Sequence, residues 1–300
     1  MSKNLKGTLI LALTSIIWGI SFVSQSVSME HIGANTFAGI RTLLGCISLL
    51  PLILYTSAKK KEPVVPKNKD ERKALVTGAL LCGIFLCIAS TLQTYGMKYT
   101  TAGKSGFITA MYMIFVPLVS IFMGKKIRPV VAVSVVIATL GMYFLCIKKG
   151  EFSINYGDFL TLICALFFTC HILVIDHFSP KVDGVKLSCL QFFVAGTINI
   201  ILMFIFEKPV MSNILLCTVP ILYSGLMSCG VAYTLQIVGQ KYAEPTVASL
   251  VMSMESVFAA LSAWLLIGQG MMGREIFGCI LMFGAITLVQ LPEKQIKPEI

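Results

Sequence analysis

Thr91-Leu92-Gln93-Thr94-Tyr95-Gly96-Met97-Lys98-Tyr99 returns 143 residues later as Thr234-Leu235-Gln236-Ile237-Val238-Gly239-Gln240-Lys241-Tyr242, with six of nine positions identical. The same offset, without a gap, sets Met111 on Met254, Phe115 on Phe258, Leu118 on Leu261 and Gly141 on Gly284. The chain therefore reads as a tandem duplication, with a first copy over 1–150 and a second over 151–300. Both copies lie in strongly apolar sequence. If each crosses a membrane an odd number of times, the second must enter it upside down relative to the first.

The composition says that they do cross. Of the 300 residues, 56% are apolar and 13% charged, and the mean hydropathy is +0.86. A soluble domain runs at about 45–50% apolar and about 25% charged. Too little polar surface remains here to cover a water-soluble core. A soluble enzyme, a nucleic-acid binder and a disordered chain are set aside on that ground. The net charge of +10 would suggest nucleic acid in a soluble protein; in a membrane chain its distribution matters more. The ten cysteines form no CxxC pair and lie mostly in apolar runs, so neither a disulfide framework nor a metal site is expected. No cofactor is implied.

Charge-free runs cover 7–29, 42–58, 74–97, 105–124, 129–147, 159–175, 187–206 and 209–240. A spanning helix needs about 20 residues. The run from Thr42 is too short after Tyr55, so helix 2 must start near Gly33 and carry Arg41 inside it. Likewise helix 9 must start near Pro245, which puts Glu255 close to its middle. Pro209 and Pro220 move helix 8 to about 214–238, and 272–291 completes the set. Five spans fall in each copy. The expectation is an all-α integral membrane protein whose ten transmembrane helices form two inverted five-helix repeats.

Lys3 and Lys6 before an apolar stretch resemble a signal peptide, but no small-residue cleavage site follows, and Trp18-Gly19 lies within the stretch. It reads as a retained first span. With the N-terminus in the cytoplasm, seventeen of the 24 lysines and arginines fall on the cytoplasmic side and six opposite, with Arg41 between. That bias predicts a multi-pass protein of the plasma membrane with both termini cytoplasmic. The lysine-rich 57–72, with Pro63 and Pro66, reads as a solvated loop.

Three further motifs carry a family resemblance. Ile17-Trp18-Gly19-Ile20-Ser21-Phe22-Val23 resembles the helix-1 signature of the drug/metabolite transporter superfamily, in its ten-helix EamA-type branch. Phe37-Ala38-Gly39-Ile40-Arg41 resembles that family's arginine motif, and SLVMSMESVFAALSAWLLIG, from Ser249 to Gly268, its ninth-helix block. The sequence departs from the pattern in places. Ser256 stands where a proline usually follows the glutamate, so the resemblance leaves a break of helix 9 there open. Gln269 and Lys125 stand where a glutamate is common. The resemblance implies a central cavity between ten helices and transport of amino acids, other small metabolites or drugs.

Glu255 is the sharpest candidate. A carboxylate at mid-membrane costs about 2.5–3.5 kcal/mol on insertion scales, so it normally faces a cavity or a partner. It reads as a proton-coupling or cation-binding group, against a structural ion pair. Tyr112 holds the equivalent position in the first repeat. Arg41 could snorkel outward, pair with Glu255, or bind a substrate carboxylate, with the structural uses favoured. His171 is a relay or an inter-helix hydrogen-bond partner. Gln93 and Gln236, themselves repeat mates, bind ligand or satisfy helix ends. Trp18 and Phe22 share a helix face, and with Glu255 they would suit an organic cation.

Inverted repeats pack in two nearly equivalent ways, one open to each side, around a site at mid-membrane. The leading expectation is a secondary-active transporter of a small metabolite (an amino acid or related compound) or a drug. It would work by alternating access, most simply as an exporter, with membrane lipid and a coupling proton as partners, as monomer or homodimer. No P-loop for ATP is present. The alternatives are uptake of a choline-like or amine cation and, remotely, a membrane-embedded enzyme on lipid-linked substrates. The latter lacks any HExxH, Asp-rich or Ser–His–Asp set.

Overall fold

In lipid a chain can satisfy its own backbone only as a helix or a closed barrel, and apolar runs of this length take the helix. A computed structural model describes residues 3–100, 102–147, 155–268 and 270–289, and none of these forms a strand. The helices are α1 (Lys3–Met29), α2 (Ala34–Lys60), α3 (Lys69–Gly96), α4 (Ala102–Thr109), α5 (Tyr112–Phe122), α6 (Pro129–Cys146), α7 (Tyr156–Phe178), α8 (Gly184–Phe206), α9 (Met211–Leu216), α10 (Thr218–Tyr223), α11 (Thr234–Gln240), α12 (Pro245–Met252), α13 (Glu255–Ile267) and α14 (Gly273–Val289). A π-helical stretch, Ser224–Tyr233, joins α10 to α11. Among the described residues nine spans are long and apolar enough to cross a membrane, counting α4 with α5, α10 through α11, and α12 with α13 as one span each. The tenth, α14, is 17 residues of the same character.

The helix ends follow local rules. Asn68 accepts from Asp70 N at 2.9 Å, and Asn155 and Asp158 form a reciprocal capping box. Pro129 and Pro245 open α6 and α12, where the missing N–H costs nothing. Helix 2 does start after Gly33, and helix 9 at Pro245. Helix 8 differs from expectation: the membrane span begins at Thr218, not near 214, because the short α9 takes up Met211–Leu216 and turns at Cys217.

Packing pairs the two copies. α2 lies on α8, α3 on α7 and α8, α6 on α14, and α1 on α11, α13 and the π stretch. Small residues permit close approach: a Cβ at Gly141 would meet Gly278 O at 2.8 Å. The second copy is inverted. Thr100 donates to Asp158 at 2.6 Å, beside the start of α7, and Tyr99 packs on Tyr156 there. Lys241 donates to Val182 O at 3.0 Å, beyond the other end of the same helix. The two copies of the repeated motif therefore end on opposite faces. Lys125 bonds Asp176 at 3.0 Å and Lys186 bonds Pro63 O at 3.0 Å on the Lys241 face. Lys98 lies over Tyr95 on the other. Of the charges counted from sequence, Lys148, Lys149, Lys294 and Lys297 lie outside the described residues, as do Gln269 and Leu291.

Two breaks matter for the site. α4 gives way to α5 at Ala110–Met111, and α12 to α13 at Ser253–Met254, positions separated by the repeat offset. At both, the ladder tightens to i→i−3 bonds: Met111 N to Ile108 O at 3.1 Å, and Met254 N to Val251 O at 3.2 Å. The proline that usually follows the glutamate is absent, and helix 9 breaks all the same. Ser253 Oγ bonds Leu250 O at 2.7 Å, and Ser15 Oγ of α1 bonds Val251 O at 3.0 Å. Hydroxyls that take up carbonyls in this way loosen a helix without proline.

Candidate substrate site

The first residues after the two breaks are Tyr112 and Glu255. Tyr112 Oη donates to Glu255 Oε1 at 3.0 Å, with both residues buried. A second pair at the same separation, Cys46 on α2 and Cys189 on α8, brings its sulfurs to 3.5 Å. Groups at repeat-equivalent positions can touch only near the axis relating the repeats. These two contacts therefore mark that axis, with the carboxylate on it.

Beside Glu255 lies a cavity of about 50 Å³. That is room for a few waters at roughly 10–15 Å³ each, and not for a metabolite. All eight residues singled out from sequence line it: Trp18, Phe22, Arg41, Gln93, Tyr112, His171, Gln236 and Glu255. They come from α1, α2, α3, α5, α7, α11 and α13, so both repeats contribute.

Arg41 departs from the favoured expectation. It is only 6% exposed, so it does not snorkel to the surface, and it makes no ion pair with Glu255 or any other described residue. Its guanidinium stacks 5.1 Å from the Phe37 ring, and its Nε is buried without a hydrogen-bond partner. His171 Nε2 meets Gln191 Oε1 at 3.0 Å, which ties α7 to α8. Gln93 Nε2 donates to Thr109 Oγ1 at 3.1 Å. Trp18 packs on Tyr233 with ring centroids 4.7 Å apart, and the Trp18 Nε1 donor and the Gln236 Oε1 acceptor have no partner. Buried polar atoms are normally paired, and each exception needs an explanation. Here three of them line one cavity, together with a carboxylate that accepts a single hydrogen bond.

Sequence reading did not single out Ser21, Gln25, Thr109 and Ser228, which also line the cavity. Ser21 and Gln25 continue the Trp18–Phe22 face at helical spacing, a signal that was present. Ser228 sits in the π stretch, where an α period predicts the wrong face. Among the described residues no group of three or more His, Cys, Asp or Glu could hold a metal ion.

The profile of the EamA-like transporter family matches residues 5–147 and again 155–291. An uncharacterized transporter of Archaeoglobus fulgidus is 29% identical over 96% of this chain and 87% of its own length. The uncharacterized transporter YoaV of Bacillus subtilis is 23% identical over 89% of this chain and 91% of its own. A solved crystal structure with 15% sequence identity overlays with a TM-score of 0.75, covering 95% of this chain and 96% of the other, a likeness of fold. These names point to a membrane transporter rather than an enzyme. With two consecutive family matches over nearly its whole length and the two-repeat helical fold, the chain belongs to the EamA-like transporter family.

Proposed function

We propose that this transporter moves a small zwitterionic metabolite, an amino acid or related compound, outward across the plasma membrane by alternating access. The observation that carries this reading is the pair of opposite charges in one cavity. Arg41 has no ion partner among the described residues, and Glu255 has only Tyr112. An uncompensated buried guanidinium is costly unless something else completes it. A substrate carboxylate on Arg41 and Trp18 Nε1, with its ammonium on Glu255 and Gln236 Oε1, would pair every orphaned group. Phe22, His171 and Gln93 would then shape the remaining wall. The two copies, 1–150 and 151–300, rock about the axis marked by Tyr112–Glu255, and the contracted cavity opens to each side in turn. Both termini face the cytoplasm, following the lysine bias. Glu255 is also the group through which a coupling proton would pass, since no other described acid lines the cavity. The chain works as a monomer or homodimer.

A choline-like cation would find Trp18, Phe22 and Glu255 suited to it but would be repelled by Arg41 in the same space. The test is flux in liposomes carrying the purified protein. Labelled amino acids are compared with the same skeletons lacking the amine or the carboxylate. Zwitterions are expected to move and both truncated sets to fail. Glu255→Gln is expected to cut gradient-driven accumulation while the protein stays folded. Transport of the carboxylate-free amines in preference to the zwitterions would overturn the substrate class. Normal accumulation by Glu255→Gln would make that residue structural.

A further inference from the structure

Consecutive antiparallel helices usually pack on each other, but α5 and α6 are drawn apart: α5 packs on α7 and α12, and α6 on α14 and α4. Between them runs an open crevice of about 680 Å³, far larger than the central cavity. Its α5 wall is Ile114, Pro117, Leu118 and Ile121, at i, i+3, i+4 and i+7. Its α6 wall is Ala132 and Val135. The α5 wall alone is about 10 Å long at 1.5 Å per residue. At one end the crevice is closed by the turn holding Gly124, Lys125, Lys126 and Ile127. That turn lies on the lysine-rich face, since Lys125 bonds Asp176 there. Lys126 and Arg128 make no ion pair among the described residues.

We propose that this crevice is a binding site for an anionic phospholipid, with one acyl chain lying between α5 and α6 and the phosphate held chiefly by the unpaired Lys126, beside Lys125 in its ion pair with Asp176. The walls are apolar at hydrocarbon depth, and the cations stand where a headgroup would be. Basic pockets at the cytoplasmic ends of membrane helices take anionic headgroups on the same physical grounds. A second copy of the chain fits poorly. A two-fold contact through this face would set Lys125 and Lys126 of both copies against each other. The site is independent of the transport reading and needs only that the chain span a bilayer.

The test is native mass spectrometry of the purified full chain in detergent, with phosphatidylglycerol against phosphatidylcholine of the same acyl composition. Phosphatidylglycerol should be retained preferentially. Lys125→Ala with Lys126→Ala should weaken it about 5- to 30-fold, the loss of one to two lysine contacts. The exposed pair Lys59→Ala with Lys60→Ala, at the end of α2, should leave binding unchanged. Ala132→Phe, which fills the crevice from an exposed position without changing charge, should weaken both lipids. Equal retention of the two lipids by the native chain would overturn the proposal. Wild-type binding by both crevice variants, or a dimer that Ala132→Phe converts to monomer, would overturn it too.

Discussion

Replacing Arg41 with methionine separates a structural arginine from a substrate-binding one. Breaking a buried ion pair costs about 3–5 kcal/mol, because a charge is left stranded. Arg41 has no such partner among the described residues, and its one visible attraction is the Phe37 ring at 5.1 Å. That contact is worth ~2 kcal/mol when desolvated. Against it stands relief from holding an unpaired charge at 6% exposure, worth several kcal/mol. Methionine keeps most of the apolar stem. The Arg41→Met protein should therefore melt within a few degrees of the native one, or above it, since 1 kcal/mol moves the midpoint of a large domain by about 2–4 °C. Binding should behave oppositely. Removing one partner of a buried charge-assisted pair with the substrate costs about 2–5 kcal/mol. That corresponds to a dissociation constant weaker by about 30- to 4,000-fold. Thermal melts in detergent and isothermal titration with the best transported substrate would read both quantities on one sample. A melting point lowered by ten degrees or so with unchanged substrate affinity would refute the reasoning and return Arg41 to a packing role.

Gly19 should tolerate no side chain: a Cβ there would sit 2.5 Å from Phe258 Cβ and 2.7 Å from Ala259 N, forcing α1 off α13 beside Glu255. Gly19→Val should cost at least about 1–3 kcal/mol in a melt, whereas Gly284→Ala, with nothing within 4 Å of its Cβ, should be neutral or stabilising. Copper phenanthroline should oxidise Cys46 and Cys189 to a disulfide, because their sulfurs already lie 3.5 Å apart. The link is read on a gel after a protease site introduced between the copies is cut. Flux should persist in the linked protein if α2 and α8 form the axis about which the repeats rock. Full arrest would place the moving surface there instead.

The membrane fold was legible because hydropathy and the odd span count rest on chemistry that lipid enforces everywhere along the chain. The cavity-lining residues were legible for a related reason. Arg41, Glu255 and His171 are polar in apolar helices, and Tyr112, Gln93 and Gln236 were tied to them or to each other by the repeat offset. What escaped was backbone irregularity. The break before Glu255 draws on the local Ser253 hydroxyl but also on Ser15, a residue 236 positions away in sequence, meeting Val251 O. No local window contains that information. The π stretch over Ser224–Tyr233 likewise carries no proline, and it turns Ser228 toward the cavity against the α period. Arg41 escaped because solitary intramembrane cations usually find a partner, and here it makes no ion pair with any described acid.

The Tyr112–Glu255 contact constrains how such a molecule can have arisen. Suppose two separate, identical half-length chains met in this antiparallel way. At that point each would present the same side chain to its twin: two acids repelling one another, or two phenols with no acid between them. Encoding the two halves separately, as the two copies within this chain are, is what lets the two positions drift apart in identity, so that one becomes the donor and the other the acceptor. Asymmetry at the centre is thus a chemical gain open only to a pair of distinct copies, and the outer helices could remain alike long after the middle had diverged.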